Sequence, residues 1–437
     1  MTSKPAAGDH VQIITADDTI QGTLLPRPEM LSSDITVVKL ESGYNLGIRN
    51  DRIQKISVKK KYAAPKVTHA THTDNPELPT VALLSFGGTI SSRIDYKSGG
   101  VIADYNADDF IAMCPEIAGI ANVRAVSVTN VMSEDFNPTI WKQMAEETQA
   151  QLLKDDIAGV VITHGTDTLH YSAAALSFML QDLNKPVILT ASQRSIDRGS
   201  SDAFMNLICA IRAAAEFDGA VVATCMHGTS NDDYCTLVRG TKVRKMHTSR
   251  RDAFQPVNDL PLAKIWTDRD IEILQTDYPH RDMDKRTIAR TSFEAKTGLL
   301  QVYPGMDEGL IDYFIKNDYK GLVVSATALG HVPTDQASHN IVGALQKAVK
   351  KGVLVVIASQ TLYGRTHPHV YTNLRKISIG AGCLFSEDMT PETAYVKLGW
   401  SLGQSKNTDE SKKLFSTNIA GEVNLRIQPD TYLYHDQ

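Results

Sequence analysis

Two patterns of hydrophobic and polar positions follow one another along the chain and change near Pro79. Up to residue 58 the apolar positions come in short β-rich runs: 11–14, 20–25, 35–40 and 53–58. Turn residues separate them, namely Asp17-Asp18, Pro26-Arg27-Pro28, Ser42-Gly43 and Arg49-Asn50-Asp51. Short strands at close, even spacing predict a small β-barrel, because closure removes exposed sheet edges. Lys59-Lys60-Lys61 ends this region, and the stretch from Ala63 to Pro79 has Pro, Thr and His without apolar periodicity, as a linker does. After Pro79 the runs become continuous: 81–86, 159–163, 186–190 and 220–224 are apolar on consecutive positions. Such runs are expected of strands covered on both faces. Helical patterns lie between them, starting at Asn137-Pro138 and spanning 170–183 and 202–217. Alternating strands and helices predict a mostly parallel sheet with helices on both faces. A second α/β unit follows, with buried strands at 321–325 and 353–357, a helix over 339–350 and a charged bridge over 268–285.

The length of 437 residues fits two or three domains. The expected division is a small barrel over 1–62, a linker over 63–79, an N-terminal α/β domain over 80–275 and a C-terminal α/β domain over 290–437. A net charge of −5 argues against a strongly basic nucleic-acid binder. The five cysteines are scattered and none forms a C-x-x-C pair, so neither a disulfide framework nor a zinc site is indicated. With no apolar signal segment at the N-terminus and no run long enough to span a membrane, the expected location is the cytoplasm.

Two strands end in unusual turns. In Ser85-Phe86-Gly87-Gly88-Thr89-Ile90 the glycines allow a sharp turn and a close approach to a ligand, leaving the Thr89 hydroxyl at the carboxyl end of a strand. The spacing of a dinucleotide or P-loop motif is missing. By spacing alone Thr89 is either a nucleophile or part of a structural turn. Thr163-His164-Gly165-Thr166-Asp167-Thr168 repeats the arrangement, where a helix N-terminus favours negative charge. Singly it reads as an ordinary N-cap; two such motifs at strand carboxyl ends shift the balance towards a site. A threonine hydroxyl needs a base, and Lys245 is the candidate, with Arg244, Arg250 and Arg251 available to lower its pKa. A solvated basic face is the alternative for this run. Tyr96 is placed to assist proton transfer, or simply to pack.

Taken together these segments resemble the L-asparaginase family. The resemblance rests on an ordered set: Phe86-Gly87-Gly88-Thr89-Ile90, Met132-Ser133-Glu134-Asp135, Thr163 through Thr168, Lys245-Met246-His247 and Leu299 through Met306. It implies an asparaginase-like α/β body of two domains with parallel sheets, here preceded by a small SH3-like β-barrel. It also implies Thr89 as acyl-enzyme nucleophile with Tyr96 beside it, Thr166 and Lys245 as a second hydroxyl–lysine pair, and Asp167 on the substrate's α-amino group. Gly88, Ser133 and Glu134 become substrate contacts, and Glu134 departs from the glutamine common in the family.

The appended barrel is similar to that of the GatD family, the glutaminase components of archaeal glutamyl-tRNA(Gln) amidotransferases. That resemblance implies a glutaminase acting on L-glutamine or L-asparagine, as a homodimer within a heterotetramer with the companion protein GatE, and reaching glutamyl-tRNA(Gln) through the complex. This chain would need no cofactor of its own, ATP and Mg being used by GatE. A stand-alone cytoplasmic L-asparaginase is the alternative, and a catalytically dead scaffold is a third reading, disfavoured by the intact set Thr89, Thr166, Asp167 and Lys245.

Overall fold

The structure, a computed structural model, describes residues 4–26, 34–62, 74–87, 92–94, 101–103, 114–196, 198–334 and 341–432. Strands β1 (His10–Ile14), β2 (Thr19–Leu24), β3 (Ile35–Lys39), β4 (Asn45–Arg49) and β5 (Lys55–Lys60) form an antiparallel sheet in the order β4-β3-β2-β1-β5. Ile48 of β4 and Val58 of β5, at opposite edges, meet Val11, Ile13 and Val38 in one core, so the sheet curls on itself. Strand β4 is absent from the sequence reading: Asn45-Leu46-Gly47-Ile48-Arg49 offers two apolar residues around a glycine, a weak β signal. This small unit touches the body where the Tyr44 hydroxyl lies 3.3 Å from Ser200 Oγ. The end of the expected linker is pinned: Asn122 exchanges side-chain hydrogen bonds of 2.8 Å with the backbone of Asn75.

The body begins with β6 (Thr80–Ser85) and β7 (Asn122–Ser127), followed by α1 (Pro138–Leu152), β8 (Ile157–Thr163), α2 (Leu169–Met179), β9 (Val187–Thr190), α3 (Ala203–Glu216) and β10 (Val222–His227). Asn137 caps α1, its side chain accepting from Thr139 N and Ile140 N, with proline at the first helical position. The five strands pair in parallel as β7-β6-β8-β9-β10. Their side chains alternate between two cores: Ala82, Leu84, Val160 and Ile162 face α1 and α2, while Val81, Leu83 and Val161 face α3. An uninterrupted apolar run is therefore required, because each face is covered.

The sheet continues antiparallel through β11 (Cys235–Arg239), while β12 (Val243–Lys245) and β13 (Phe254–Pro256) form a separate hairpin. Strands β14 (Ala263–Ile265) and β15 (Glu272–Ile273) extend the antiparallel edge. A second parallel sheet consists of β16 (Thr297–Gln301), β17 (Gly321–Ala326), β18 (Leu354–Ser359) and β19 (Leu384–Phe385), with helices α4 (Gly309–Lys316) and α5 (Ile341–Lys350) in the connections.

Helix α6 (Pro391–Gln404) joins the two sheets. Its Ala394 and Leu398 enter the core of the second sheet, whereas Val396 and Trp400 enter that of the first. Trp400 stacks on Phe178 of α2 at 6.0 Å. Charges are buried along this seam in pairs: Lys242 Nζ lies 2.7 Å from Asp388 Oδ2, and Lys397 pairs with Glu422, both fully buried. Pairing offsets desolvation that an isolated charge would not survive. Among the described residues no helix is long and apolar enough to cross a membrane.

Candidate active site at the carboxyl end of the first sheet

Three parallel strands end at one level: Ser127 pairs with Ser85, and Ser85 with Thr163. The chain leaves β6 for β7 on one side and returns to β8 on the other, so β6 marks a switch point, where open α/β sheets leave a crevice. The loops after β6, β7 and β8 all open there.

Gly87 starts the first loop with φ +95°, and a Cβ there would lie 2.8 Å from both Val131 N and O. Only glycine permits both the conformation and the approach. Gly88, Thr89 and Tyr96 follow it in the chain and lie outside the described residues. The second loop carries a one-turn 3-10 helix, Ser133–Asp135, with Ser133 buried and Glu134 exposed at the rim. The third loop packs against it, since a Cβ on Gly165 would come within 2.7 Å of the Ser133 side chain. Two hydrogen bonds fasten the loops together: Asp167 N donates to Ser133 Oγ at 3.2 Å, and Thr168 Oγ1 donates to Ser133 O at 2.5 Å.

Lys245 reaches this crevice from β12. Its ammonium donates to Thr166 Oγ1 at 2.9 Å and to Asp167 Oδ1 at 2.8 Å. The lysine side chain is 11 % exposed and the Asp167 carboxylate 62 %, so the pair is covered from below and open above. Four of the residues singled out in the sequence, Ser133, Thr166, Asp167 and Lys245, thus meet in one place. The neighbouring cations do not converge on the amine. Arg244 is held by Glu392 at 2.8 Å, Arg250 by Asp252 at 2.6 Å and Arg251 by Asp232 at 2.5 Å.

A buttress beneath the third loop has no signal in the sequence. His164 Nδ1 lies 2.6 Å from Gly165 O and Nε2 lies 2.8 Å from Ser172 Oγ, while Trp141 Nε1 donates to that same hydroxyl at 3.0 Å. A carbonyl can only accept, so the neutral ring donates through Nδ1 and accepts through Nε2. Burial lowers His164 from 6.5 to about 4, and does the same for His170 in the first turn of α2.

These rings predict a pH dependence. Between about 4 and 6.5 the unfolded chain binds protons that the folded rings refuse, so stability must fall as pH drops through that window. The loss at pH 5 amounts to about 2 kcal/mol per ring relative to pH 7.5. His227, also lowered by burial, acts in the same sense. Urea unfolding at the two pH values measures this; equal stability at both would mean that the rings accept protons in place.

Comparison with known proteins agrees along the whole chain. Family models match residues 6–58 (GatD N-terminal domain), 80–278 (Asparaginase, N-terminal) and 296–415 (Glutaminase/Asparaginase C-terminal domain). A protein from Pyrococcus furiosus described as the D-type subunit of glutamyl-tRNA(Gln) amidotransferase is 47 % identical, over 98 % of this chain and 97 % of its own. The proteins so described from Thermococcus kodakarensis and Methanopyrus kandleri are 45 % and 40 % identical, over 98 % and 96 % of this chain and 96 % and 92 % of their own. Among solved structures, the thermostable L-asparaginase from Thermococcus kodakarensis superposes with a TM-score of 0.69 at 27 % identity, covering 79 % of this chain and 99 % of that one. L-asparaginase I from Vibrio cholerae gives 0.68 at 26 % identity, over 80 % and 100 %. The chain therefore belongs to the GatD family of glutamyl-tRNA(Gln) amidotransferase components, with an asparaginase-type amidohydrolase body.

Proposed function

We propose that this chain hydrolyses the side-chain amide of L-glutamine, or of L-asparagine, through a threonine acyl-enzyme, and supplies the ammonia to a partner that converts Glu-tRNA(Gln) to Gln-tRNA(Gln). The observation that carries the chemistry is the bridge from Lys245 Nζ to Thr166 Oγ1 and Asp167 Oδ1. In this reading Thr89 attacks the amide carbon and forms an ester, and ammonia leaves. Backbone N–H groups near the glycine turn stabilise the oxyanion, at roughly 3 kcal/mol per donor. Water then resolves the ester, with Thr166 and Lys245 moving the proton. Asp167 takes the substrate's α-ammonium at the open side of the crevice, where its carboxylate is exposed. Gly88, Ser133 and Glu134 complete the substrate pocket, and Tyr96 stands beside the nucleophile.

The relatives' description supports the coupling to tRNA amidation. ATP and Mg would then be used by the partner GatE, two copies of each chain forming the working assembly in the cytoplasm. Ammonia release by the purified chain, offered glutamine and asparagine separately, tests this. Slow turnover that rises when GatE and Glu-tRNA(Gln) are added is the expected result. Fast, unassisted turnover of asparagine would make it a free asparaginase instead.

A further inference from the structure

The strand that delivers Lys245 is gripped from behind by the C-terminal half of the chain. Thr241 Oγ1 donates to Ala420 O at 3.1 Å, and Thr393 Oγ1 of α6 donates to Thr241 O at 3.1 Å. Lys242 pairs with Asp388 at 2.7 Å, with both side chains almost fully buried. Arg244 directs both Nε and Nη2 to Glu392 Oε1, at 3.0 and 2.8 Å. Along a strand, side chains alternate between faces. Lys242 and Arg244 accordingly point to the C-terminal half, while Val243 enters the core of the first sheet and Lys245 reaches Thr166.

The Arg244–Glu392 contact is one-sided. A guanidinium set for binding strength engages both carboxylate oxygens side by side. Here both donors converge on Oε1, and Glu392 Oε2 is buried with no hydrogen-bond partner among the described residues. His170 Nδ1, on the helix that follows the Thr166-Asp167 loop, is buried in the same condition. The side-chain hydrogen bonds that Glu392 makes among the described residues therefore run to Arg244 alone, through Oε1. What it holds is the residue adjoining Lys245.

We propose that Glu392, acting through Arg244, is a positioning residue for amide hydrolysis: it sets the reach of the Lys245 amine to Thr166 and makes the crevice of the first sheet depend on the C-terminal half of the same chain. This rests on the reading of Lys245 as the proton-moving group. No part of the substrate need touch Glu392, so its loss is felt in turnover and not in binding.

The test uses the full-length chain, in complex with GatE where the complex is required for turnover, with L-glutamine and L-asparagine as substrates. Glu392→Gln preserves shape and removes the charge that orients Arg244. Its kcat is expected to fall by about a hundred-fold, the scale of a misplacement near 1 Å, with KM within about twofold. Glu392→Asp should recover most of the loss. In the background of Lys245→Ala, Glu392→Gln should have no further effect, because the two act as one unit. An unchanged kcat in a folded Glu392→Gln, or a full additional loss in the double variant, would overturn the proposal. Should Glu392→Gln fail to fold, Arg244→Gln breaks the same contact from the more exposed side, and the same outcomes apply. Full turnover by Lys245→Ala itself would instead sink the reading of the site, so the two failures are distinguishable.

Discussion

Lys245→Ala is expected to slow ammonia release by about a hundred- to ten-thousand-fold, the usual contribution of a positioned acid–base group. The expectation comes from geometry: the amine is within 2.9 Å of Thr166 Oγ1 and within 2.8 Å of Asp167 Oδ1. Stability should barely change. The carboxylate lost as a partner is 62 % exposed, and such an ion pair contributes about 0–1 kcal/mol. A steady-state assay and a melting curve on one preparation separate the two effects. Normal turnover with a lowered melting temperature would reduce Lys245 to a structural residue; lost turnover with a nearly unchanged melting temperature is the result that the bridge predicts.

Thr89→Ala and Thr166→Ala should fail at different steps. On the proposed reading Thr89→Ala prevents the ester from forming, and turnover is expected to fall by at least about a thousand-fold. On the same reading Thr166→Ala leaves attack possible but deprives the ester of the hydroxyl that Lys245 contacts, so the acyl-enzyme should accumulate. Acid quenching during turnover, followed by intact mass and peptide mapping, reads this directly. Thr166→Ala should carry an adduct on the peptide containing residue 89, and Thr89→Ala none. An adduct mapped to residue 166 would reverse the two roles. The assignment of Thr89 comes from its sequence context, supported by the Gly87 turn immediately before it.

Much of the parallel framework is legible in the chain because its cause is local. Strands β6, β8 and β17 are uninterrupted apolar runs, and Asn137-Pro138 announces α1 by capping chemistry. Legibility fails where the signal is short or shared. The helix expected over 170–183 stops at Met179, since Leu180 and Gln181 pair with Ala289 and Ile288, residues far off in the chain. Strands β11 and β14 escape a sequence reading: β14 has only three residues, and both become strands through the antiparallel ladder that they extend. The basic run after Arg239 reads locally as a solvated face. In the fold, Lys242 is buried on Asp388 and Arg244 is spent on Glu392.

Sequence by itself determined the order of units, the two glycine-bearing strand ends and the residue types of the proposed site. Those depend on periodicity, turn chemistry and side-chain identity, which are properties of neighbouring residues. Tertiary structure decided which groups meet. Thr166 and Lys245 stand far apart in the chain, and a register of parallel strands together with a hairpin held by the C-terminal half brings them to 2.9 Å. It also decided that His164 is a neutral buttress, since burial and two fixed hydrogen bonds, not its neighbours in sequence, keep the ring uncharged. Distances and protonation depend on what is packed against a group, and packing partners are chosen by the whole chain.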